Sequence, residues 1–369
     1  MSTKKRQSFN FSEIAMQSTI SINRDDNPYD KYVEGGHIES NTLKIRKWGV
    51  FGDQYVGPAF HRVFKKGQIL YCSRRTYLKK VAVPHFDGIT SNTTFVIEPK
   101  VVDGFIPQLL PFIMLSSNFT QHSVLYSKGS TNPYINYKDL EGFEFSLPGV
   151  AEQNKILNIL NKIQGNEHAL VDSISSLIKL NDVLLSDSLK KSAPSLPLSK
   201  LLTETKRSVS DLSSASKHIG FEHINSDDLF VRECEEVSQI NSHKSLFEYG
   251  DILYGKIRPY LRKVALSNME GVCSSDILVL RPEVTETAIN IAWYLKSTYF
   301  SNVAMSSAKG SKMPRADWNV LQKHTIPASF LDEKYTKIAK AYYDQLSYLN
   351  EQLRLTKELQ ISLTDRLLG

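Results

Sequence analysis

The chain repeats one pattern of residues at a constant offset, and this repeat limits the folds that it can adopt. Residues 67–99 align with residues 250–282 without insertion, at one constant offset (250 − 67). The segment GQILY in the first copy faces GDILY in the second, and LKKVA faces LRKVA. Self-similarity over so long a span indicates an internal duplication. We therefore expect two similar domains rather than one large fold.

The length of the chain agrees with this organisation. At 369 residues, the chain is expected to form two to three units of roughly 150 residues each. Each copy is followed by a long helical pattern. The expected order is a first domain at residues 1–148, a first long helix at 149–193, a second domain at 194–330 and a second long helix at 331–369.

Composition favours a folded cytoplasmic protein, and its charge is compatible with a polyanionic partner. Hydrophobic residues make up 41% of the chain and charged residues 23%, which is typical of globular proteins. No apolar run of about 18 residues occurs, and none follows the basic first residues, so neither a membrane segment nor a signal peptide is predicted. The net charge of +6 fits a polyanion without requiring one. Three scattered cysteines without a Cys-x-x-Cys pair predict neither disulfides nor a zinc site.

Short β-branched and aromatic runs predict strands in both copies. The polar opening up to Tyr32 is expected to precede these strands. Residues 106–125 and 288–305 predict helical segments between the strands and the long helices. Because strands and helices do not alternate regularly, we expect an α+β fold, with a mixed sheet and packed helices in each domain, rather than a doubly wound sheet.

Two heptad patterns predict the long helices. Apolar residues recur at alternating spacings of four and three, which places them along one seam of a helix. The residues expected on these seams are Ile156, Leu160, Ile163, Leu170, Ile174, Leu177 and Leu184 in the first helix and Tyr342, Leu346, Leu349, Leu353, Leu363 and Leu367 in the second. Polar residues, among them Glu167 and Asn181, interrupt the pattern. A helix of forty residues spans about 60 Å, too long for a small domain to cover, so the other copy's helix is the expected partner.

A search for catalytic and metal-binding patterns is mostly negative. No phosphate-binding Gly-x-x-x-x-Gly-Lys-Ser/Thr loop and no dinucleotide-binding Gly-x-Gly-x-x-Gly motif occurs. Asp87 and Glu98 have the outline of a nuclease metal site, but the second copy places Arg281 opposite Glu98. His37 and His223 occupy matching positions and are interpreted as hydrogen-bonding residues. We expect no catalytic centre and no metal site in this chain.

Basic residues crowd matching loops of the two copies. They follow the same predicted strand, and a Lys-Gly-Ser sequence further on supplies a cation, a flexible backbone and a hydroxyl group. Phosphate contacts of DNA-binding proteins use such groups. The residues predicted to contact DNA are Arg74, Arg75, Lys79, Lys128 and Ser130 in the first copy and Lys256, Arg258, Arg262, Lys309, Ser311 and Lys312 in the second. Turns between strands with incidental lysines are the alternative interpretation.

Three segments carry a resemblance to a known family. They are residues 250–261 (GDILYGKIRPYL), residues 128–135 (KGSTNPYI) and residues 146–153 (SLPGVAEQ), which lead into the first long helix. With the two-fold repeat, they resemble the DNA-specificity (S) subunit of type I restriction-modification systems over essentially the whole chain. The resemblance implies two target-recognition domains in a pseudo-two-fold repeat, separated by an antiparallel coiled coil of the two long helices. Each domain would read half of a split, asymmetric sequence in double-stranded DNA.

The resemblance also implies partners that hold the catalytic chemistry. Such subunits have no catalytic centre and dock two methyltransferase subunits and, in the full complex, restriction subunits that translocate DNA. S-adenosylmethionine, ATP and Mg²⁺ are then expected in those partners and no cofactor in this chain.

Two other functions stay open at this point. One is the specificity subunit of a related system that cuts beside its site without translocation. The other is a coiled-coil adaptor with two protein-binding domains, which predicts no salt-dependent affinity for DNA.

Overall fold

The chain forms two compact units in its computed structural model. The structure describes residues 6–23, 26–53, 55–189, 195–209, 216–237, 243–308, 310 and 313–368. Unit 1 comprises Met1–Ala169 with Leu353–Gly369, and unit 2 comprises Leu170–Gln352. Within the described ranges, no helix combines the length and the apolar character that crossing a membrane requires.

The opening residues of unit 1 belong to its core, which corrects the expectation that the strands begin only later. Strand β1 (Gln7–Asn10), the short helix α1 (Phe11–Ile14) and strand β2 (Ala15–Ser18) follow one another directly. Phe11 and Ile14 are fully buried. Phe9 and Ala15 of the same stretch also belong to the core of unit 1.

Two sheets make up the strand block of unit 1. The strands are β3 (Lys31–Val33), β4 (Gly49–Val50), β5 (Phe60–Phe64), β6 (Ile69–Cys72), β7 (Val81–Ala82), β8 (Gly88–Ser91) and β9 (Thr94–Pro99). One sheet has the order β2-β9-β6-β7 and is antiparallel, and the other has the order β4-β3-β8-β5 with β3 and β8 parallel. Every residue of β6 is buried, so the loop that follows it starts from a rigid strand.

Helices complete unit 1. They and the last strand are α2 (Leu110–Leu115), α3 (Ser117–Leu125), α4 (Tyr137–Glu141), β10 (Glu144–Leu147) and the first part of α5 (Val150–Leu189). The segment predicted as helical at 106–125 is helical but broken at Ser116, whose side chain accepts a hydrogen bond from the Phe119 amide at 3.2 Å. A serine that satisfies a first-turn N–H favours a new helix start.

Unit 2 repeats this arrangement. Its elements after α5 are β11 (Ser195–Pro197), β12 (Leu202–Glu204), β13 (Ser208–Val209), β14 (Ser216–Ile219), β15 (Glu235–Val237), β16 (Lys244–Phe247), β17 (Ile252–Gly255), β18 (Val264–Leu266), β19 (Gly271–Cys273), β20 (Ile277–Pro282), α6 (Ala288–Leu295), α7 (Thr298–Ser307), α8 (Trp318–Leu321), β21 (Thr325–Pro327) and the first part of α9 (Glu333–Leu368). The order β12-β20-β17-β18 reproduces the antiparallel sheet of unit 1, and β14 and β19 form the matching parallel pair. Ser297 caps α7 as Ser116 caps α3. The predicted duplication and the mixed α+β fold are confirmed.

Each unit contains part of both long helices, and these parts pair antiparallel. In unit 1, Ile156 and Leu160 of α5 belong to the same core as Leu368 of α9, whereas Asn166 donates a hydrogen bond to Thr356 Oγ1 at 3.1 Å. Later residues of α5 thus meet earlier residues of α9. In unit 2 the second part of α5 shares a core with the first part of α9.

The buried seam differs in detail from the heptad prediction. Leu184, expected on the seam, is 40% exposed, whereas the neighbouring Leu185 is 2% exposed. Glu167 and Asn181, which interrupt the apolar pattern, are themselves buried. An α-helix with 3.6 residues per turn drifts away from a strict seven-residue repeat, so the buried face of α5 moves by one residue along its length.

Candidate nucleic-acid interface

A tight turn follows the central strand of each unit. In unit 1 the turn is a 3-10 helix at Thr76–Leu78, and in unit 2 it is a 3-10 helix at Pro259–Leu261. The residues on both sides of each turn have positive φ angles between 49° and 51°, namely Arg75, Lys79, Arg258 and Arg262. Residues with a Cβ reach this region at a cost of about 1–2 kcal/mol each. Among the described residues, Asn41 is the only other non-glycine with positive φ, so the two turns concentrate backbone strain.

In each unit, a proline that follows the Lys-Gly-Ser sequence lies against this turn. The Arg75 amide donates to Pro133 O at 2.7 Å, and the Arg258 amide donates to Pro314 O at 2.7 Å. In unit 1, the Arg75 side chain also donates through Nε to Asn132 Oδ1 at 3.2 Å. In unit 1 the two segments that the sequence predicts to bind DNA are therefore neighbours in space, and in unit 2 the turn contacts Pro314, which follows the second segment. We call each pair of segments, residues 73–80 with 127–135 and residues 256–263 with 313–316, a paired loop.

The predicted DNA-contacting residues differ in exposure. Those with exposed side chains are Arg74, Arg75, Lys128, Ser130 and Arg258, and those that are half-buried are Lys79, Lys256 and Arg262. Lys128 forms an ion pair with Asp139 at 3.4 Å. Lys309, Ser311 and Lys312 lie outside the described residues. Gly310 between them has φ 93°, like Gly129 with φ 85°.

Each paired loop also presents a tyrosine that the sequence prediction missed. Tyr77 and Tyr260 stand at the middle of the two turns and are 55% and 50% exposed. Both precede a leucine and both lie in the aligned block, at the offset that relates its two copies (260 − 77). This recurrence could have identified them. An exposed aromatic ring flanked by cations suits contact with bases or sugars of a nucleic acid.

A half-buried lysine ties the end of each turn to a backbone carbonyl of a neighbouring segment. The Lys80 ammonium donates to Gly35 O, and the Lys263 ammonium donates to Phe221 O at 2.7 Å. Burial lowers the pKa of Lys263, and the nearby Glu222 opposes that effect. The same lysine lies 4.6 Å from the centre of the Phe221 ring. An equivalent lysine hydrogen bond thus supports both turns.

The acidic and histidine residues considered as metal ligands have other partners. Asp87 accepts hydrogen bonds from Lys65 Nζ at 3.0 Å and from the Lys66 amide at 2.8 Å. His37 and His223 each accept a backbone N–H through Nδ1, at 3.3 and 2.9 Å, so the prediction of repeated hydrogen-bonding histidines is confirmed. No three His, Cys, Asp or Glu side chains converge to hold a metal ion in the part of the chain that the structure describes.

The residues predicted to pair the long helices lie at different depths. Those that are fully buried are Ile156, Leu160 and Leu346, and those that are half-buried are Ile163, Leu170, Ile174, Leu177, Tyr342, Leu349 and Leu353. On the opposite side of α5 within unit 2, Leu180 and Val183 are exposed. The second part of α5 therefore presents apolar side chains to solvent.

A family model identifies the first repeat. Residues 10–179 match the model for the type I restriction modification DNA specificity domain. This part of the chain is similar to the specificity domain. The matched residues include the paired loop of unit 1 and most of α5, and the resemblance noted in the sequence is confirmed.

A curated relative with the same role matches part of the chain. The chain is 30% identical over 138 residues to the type I restriction enzyme EcoDI specificity subunit of Escherichia coli. This match covers 37% of the chain and 30% of that relative.

Two solved structures show the same fold over nearly the whole chain. The type I restriction-modification S subunit from M. genitalium has a TM-score of 0.57 and 13% identity, covering 100% of this chain and 97% of the other. A chain from a structure concerned with complex assembly and conformational transition of the type I R-M system has a TM-score of 0.53 and 15% identity, covering 98% and 97%. Both repeats therefore fit one known architecture.

Proposed function

We propose that this chain is the DNA sequence-recognition subunit of a type I restriction-modification system. The observation that carries the proposal is the paired loop of the specificity domain and its recurrence in unit 2. Each paired loop joins an exposed arginine and an exposed tyrosine on a strained, well-supported turn. Cations bind phosphates and fix register, and further side chains read the bases.

The two units bind different half-sites in this proposal. The turn of unit 1 has the sequence RRTYLK, whereas the matching turn of unit 2 has IRPYLR. The second loops differ at two of three matching positions, with NPY in unit 1 and MPR in unit 2. Side chains at these positions determine which base edges find hydrogen-bond partners. Because the side chains differ between the units, the target is split and asymmetric.

Catalysis in this proposal belongs to partner subunits. The chain recruits methyltransferase and restriction subunits, which supply S-adenosylmethionine, ATP and Mg²⁺ chemistry. The long helices offer the docking surface, since α5 keeps Leu180 and Val183 exposed in unit 2.

The test is co-expression with the adjacent methyltransferase gene, followed by sequencing of plasmid DNA for N6-methyladenine. We expect methylation of one adenine in each half of a split motif, only when this chain is present. The control expresses the methyltransferase alone. Methylation that does not depend on this chain, or a purified complex that methylates nothing, would contradict the proposal and favour an adaptor.

A second test examines the arginines of the paired loops directly. The logarithm of affinity for duplex DNA falls with the logarithm of salt concentration by about 0.9 for each phosphate contact. Arg75→Ala and Arg258→Ala should each reduce this slope by about that amount. Lys337→Ala is the matched control, because its exposed ammonium pairs with Glu333 at 3.0 Å on α9, and its removal should leave the slope unchanged.

A further inference from the structure

The turn of unit 1 is connected to α9 by a chain of side-chain hydrogen bonds. Lys79 Nζ donates to Ser117 Oγ at 3.2 Å. Ser117 Oγ donates in turn to Asp365 Oδ2 at 2.6 Å, and the Ser117 amide donates to Asp365 Oδ1 at 2.6 Å. A hydroxyl group has one hydrogen to donate and lone pairs to accept, so the cation and the carboxylate fix its orientation.

Unit 2 contains the same three-membered connection. Arg262 Nη1 donates to Thr298 Oγ1 at 3.2 Å, and Thr298 Oγ1 donates to Asp182 Oδ1 at 3.4 Å. The carboxylate comes here from α5, whereas in unit 1 it comes from α9.

The connection follows the duplication residue by residue. The cations (262 − 79) and the aspartates (365 − 182) stand at the same offset as the aligned block, and the hydroxyl residues (298 − 117) differ from it by two positions. The side chains differ between copies, Lys against Arg and Ser against Thr, but the roles of donor and acceptor are unchanged. Two different sets of side chains that make one arrangement indicate a shared role.

The position of the cation suggests what that role is. Lys79 and Arg262 are half-buried and have φ angles of 49° and 50° at the end of the turns. Strained residues of this kind persist where surrounding contacts hold them. Their bond to the hydroxyl group points back into the fold, towards a long helix, while Arg75 and Arg258 at the other end of the turns are exposed.

We infer that Lys79 and Arg262 are positioning residues, which tie each DNA-binding turn through a hydroxyl group to an aspartate of a long helix. The inference rests on the proposed function for its DNA readout. It gives these two cations a role other than direct phosphate contact, and it leaves that contact to Arg75 and Arg258. The movement of a helix end would then reach the turn in its own unit.

The chain supplies its own conservative variants for a test. Ser117→Thr and Thr298→Ser exchange the hydroxyl residues of the two copies, and Lys79→Arg does the same for the cation. Ser117→Ala and Thr298→Val remove the hydroxyl group with little change in volume. Asp365→Ala removes the anchor instead and gives a second, independent variant for unit 1.

Amide hydrogen exchange of the full chain tests the tether. A typical hydrogen bond is worth about a fivefold change in an opening equilibrium. Ser117→Ala and Asp365→Ala should speed exchange about fivefold in residues 74–80 and leave exchange in residues 257–263 unchanged. Thr298→Val should speed exchange in residues 257–263 and leave exchange in residues 74–80 unchanged. Ser117→Thr should behave as wild type. Unchanged exchange in Ser117→Ala, or equal effects of Ala and Thr at this position, would overturn the tether.

Binding to a 30-base-pair duplex of random sequence, measured across salt concentrations, tests the role. Lys79→Ala and Ser117→Ala should weaken binding by a similar factor, about two- to fivefold, without changing the salt slope, and Lys79→Arg should restore wild-type affinity. A reduced slope in Lys79→Ala with normal binding in Ser117→Ala would make Lys79 a phosphate contact and overturn the inference. If the wild-type chain shows no salt-dependent binding, the proposed function fails, and the exchange measurement alone decides the tether.

Discussion

Lys296 provides a sharp test of how burial controls stability in unit 2. Its side chain is 4% exposed, and its ammonium donates to Asn225 O at 2.6 Å and Val264 O at 2.5 Å. Burial lowers the pKa of Lys296 to about 7, with Asp227 and Asp228 raising it and Arg262 and Lys263 lowering it. Unit 1 has the buried Leu115 at the position that matches Lys296 in the repeat.

The lowered pKa gives stability a defined dependence on pH. Between about pH 7 and the unfolded pKa of about 10.4, the unfolded chain binds more protons than the folded chain, so the free energy of unfolding rises with pH. The limiting slope is about 1.4 kcal/mol per pH unit. Because the slope is half of this value at the pKa itself, we expect a gain of about 2 kcal/mol between pH 7 and pH 9.

The comparison protein is Lys296→Met, which keeps the length of the side chain and cannot titrate. It leaves two backbone carbonyls without a donor, a cost of about 1–3 kcal/mol each that does not vary with pH. Urea unfolding of unit 2 can be followed by the fluorescence of Trp293 and Trp318. All proteins in this comparison carry Trp48→Phe, so that unit 1 contributes no tryptophan fluorescence. The free energy of unfolding of the wild type, relative to that of Lys296→Met, should rise by about 2 kcal/mol from pH 7 to pH 9. A difference that stays constant would refute the argument.

Three further substitutions test buried polar groups. Burial raises the pKa of Glu167 despite nearby cations, so Glu167→Gln should raise the melting temperature at pH 7, and this gain should vanish near pH 4, where the unfolded carboxyl is also protonated. Asp251 accepts hydrogen bonds from Nε and Nη2 of Arg281 at 2.8 and 2.9 Å. Asp251→Asn should therefore lower the free energy of unfolding in urea by about 2 kcal/mol. A loss below about 0.5 kcal/mol would contradict this. Asn181 accepts the buried indole N–H of Trp293 at 2.9 Å. Asn181→Leu should therefore cost about 1–3 kcal/mol, measured by Trp fluorescence, with the exposed Leu180→Ala as control.

The repeat allowed the strand block and the matching basic loops of the two copies to be predicted, because aligned residues in a duplicated fold take the same backbone conformation. Arg75 and Arg258 illustrate this, since both have positive φ and both donate to a proline carbonyl. The order of strands in the sheets did not follow from the sequence, because short strands carry no signal that specifies their neighbours.

The depth of residues on the long helices was harder to predict. Apolar spacing alone selected Leu184, but the buried residue is Leu185, because a helix with 3.6 residues per turn drifts away from a strict seven-residue repeat. Contacts between distant segments were missed because the spacing of residues on a helix does not identify their partners. Asp182 and Asp365 each precede x-Leu-Leu at matching positions of the two copies, yet only the structure reveals that their partners are hydroxyl groups at the start of α7 and α3.

The composition of the units also sets the order in which the nascent chain can fold. Unit 2 is one continuous stretch of sequence, but the core of unit 1 includes Leu368, which the ribosome adds after the whole of unit 2. Domains commonly fold in the order in which they are synthesised. Here unit 1 emerges first but completes its core last. Ile156 and Leu160 lack their contacts with α9 during the translation of about two hundred further residues. The protein is therefore most exposed to aggregation and proteolysis in the unit that was made first.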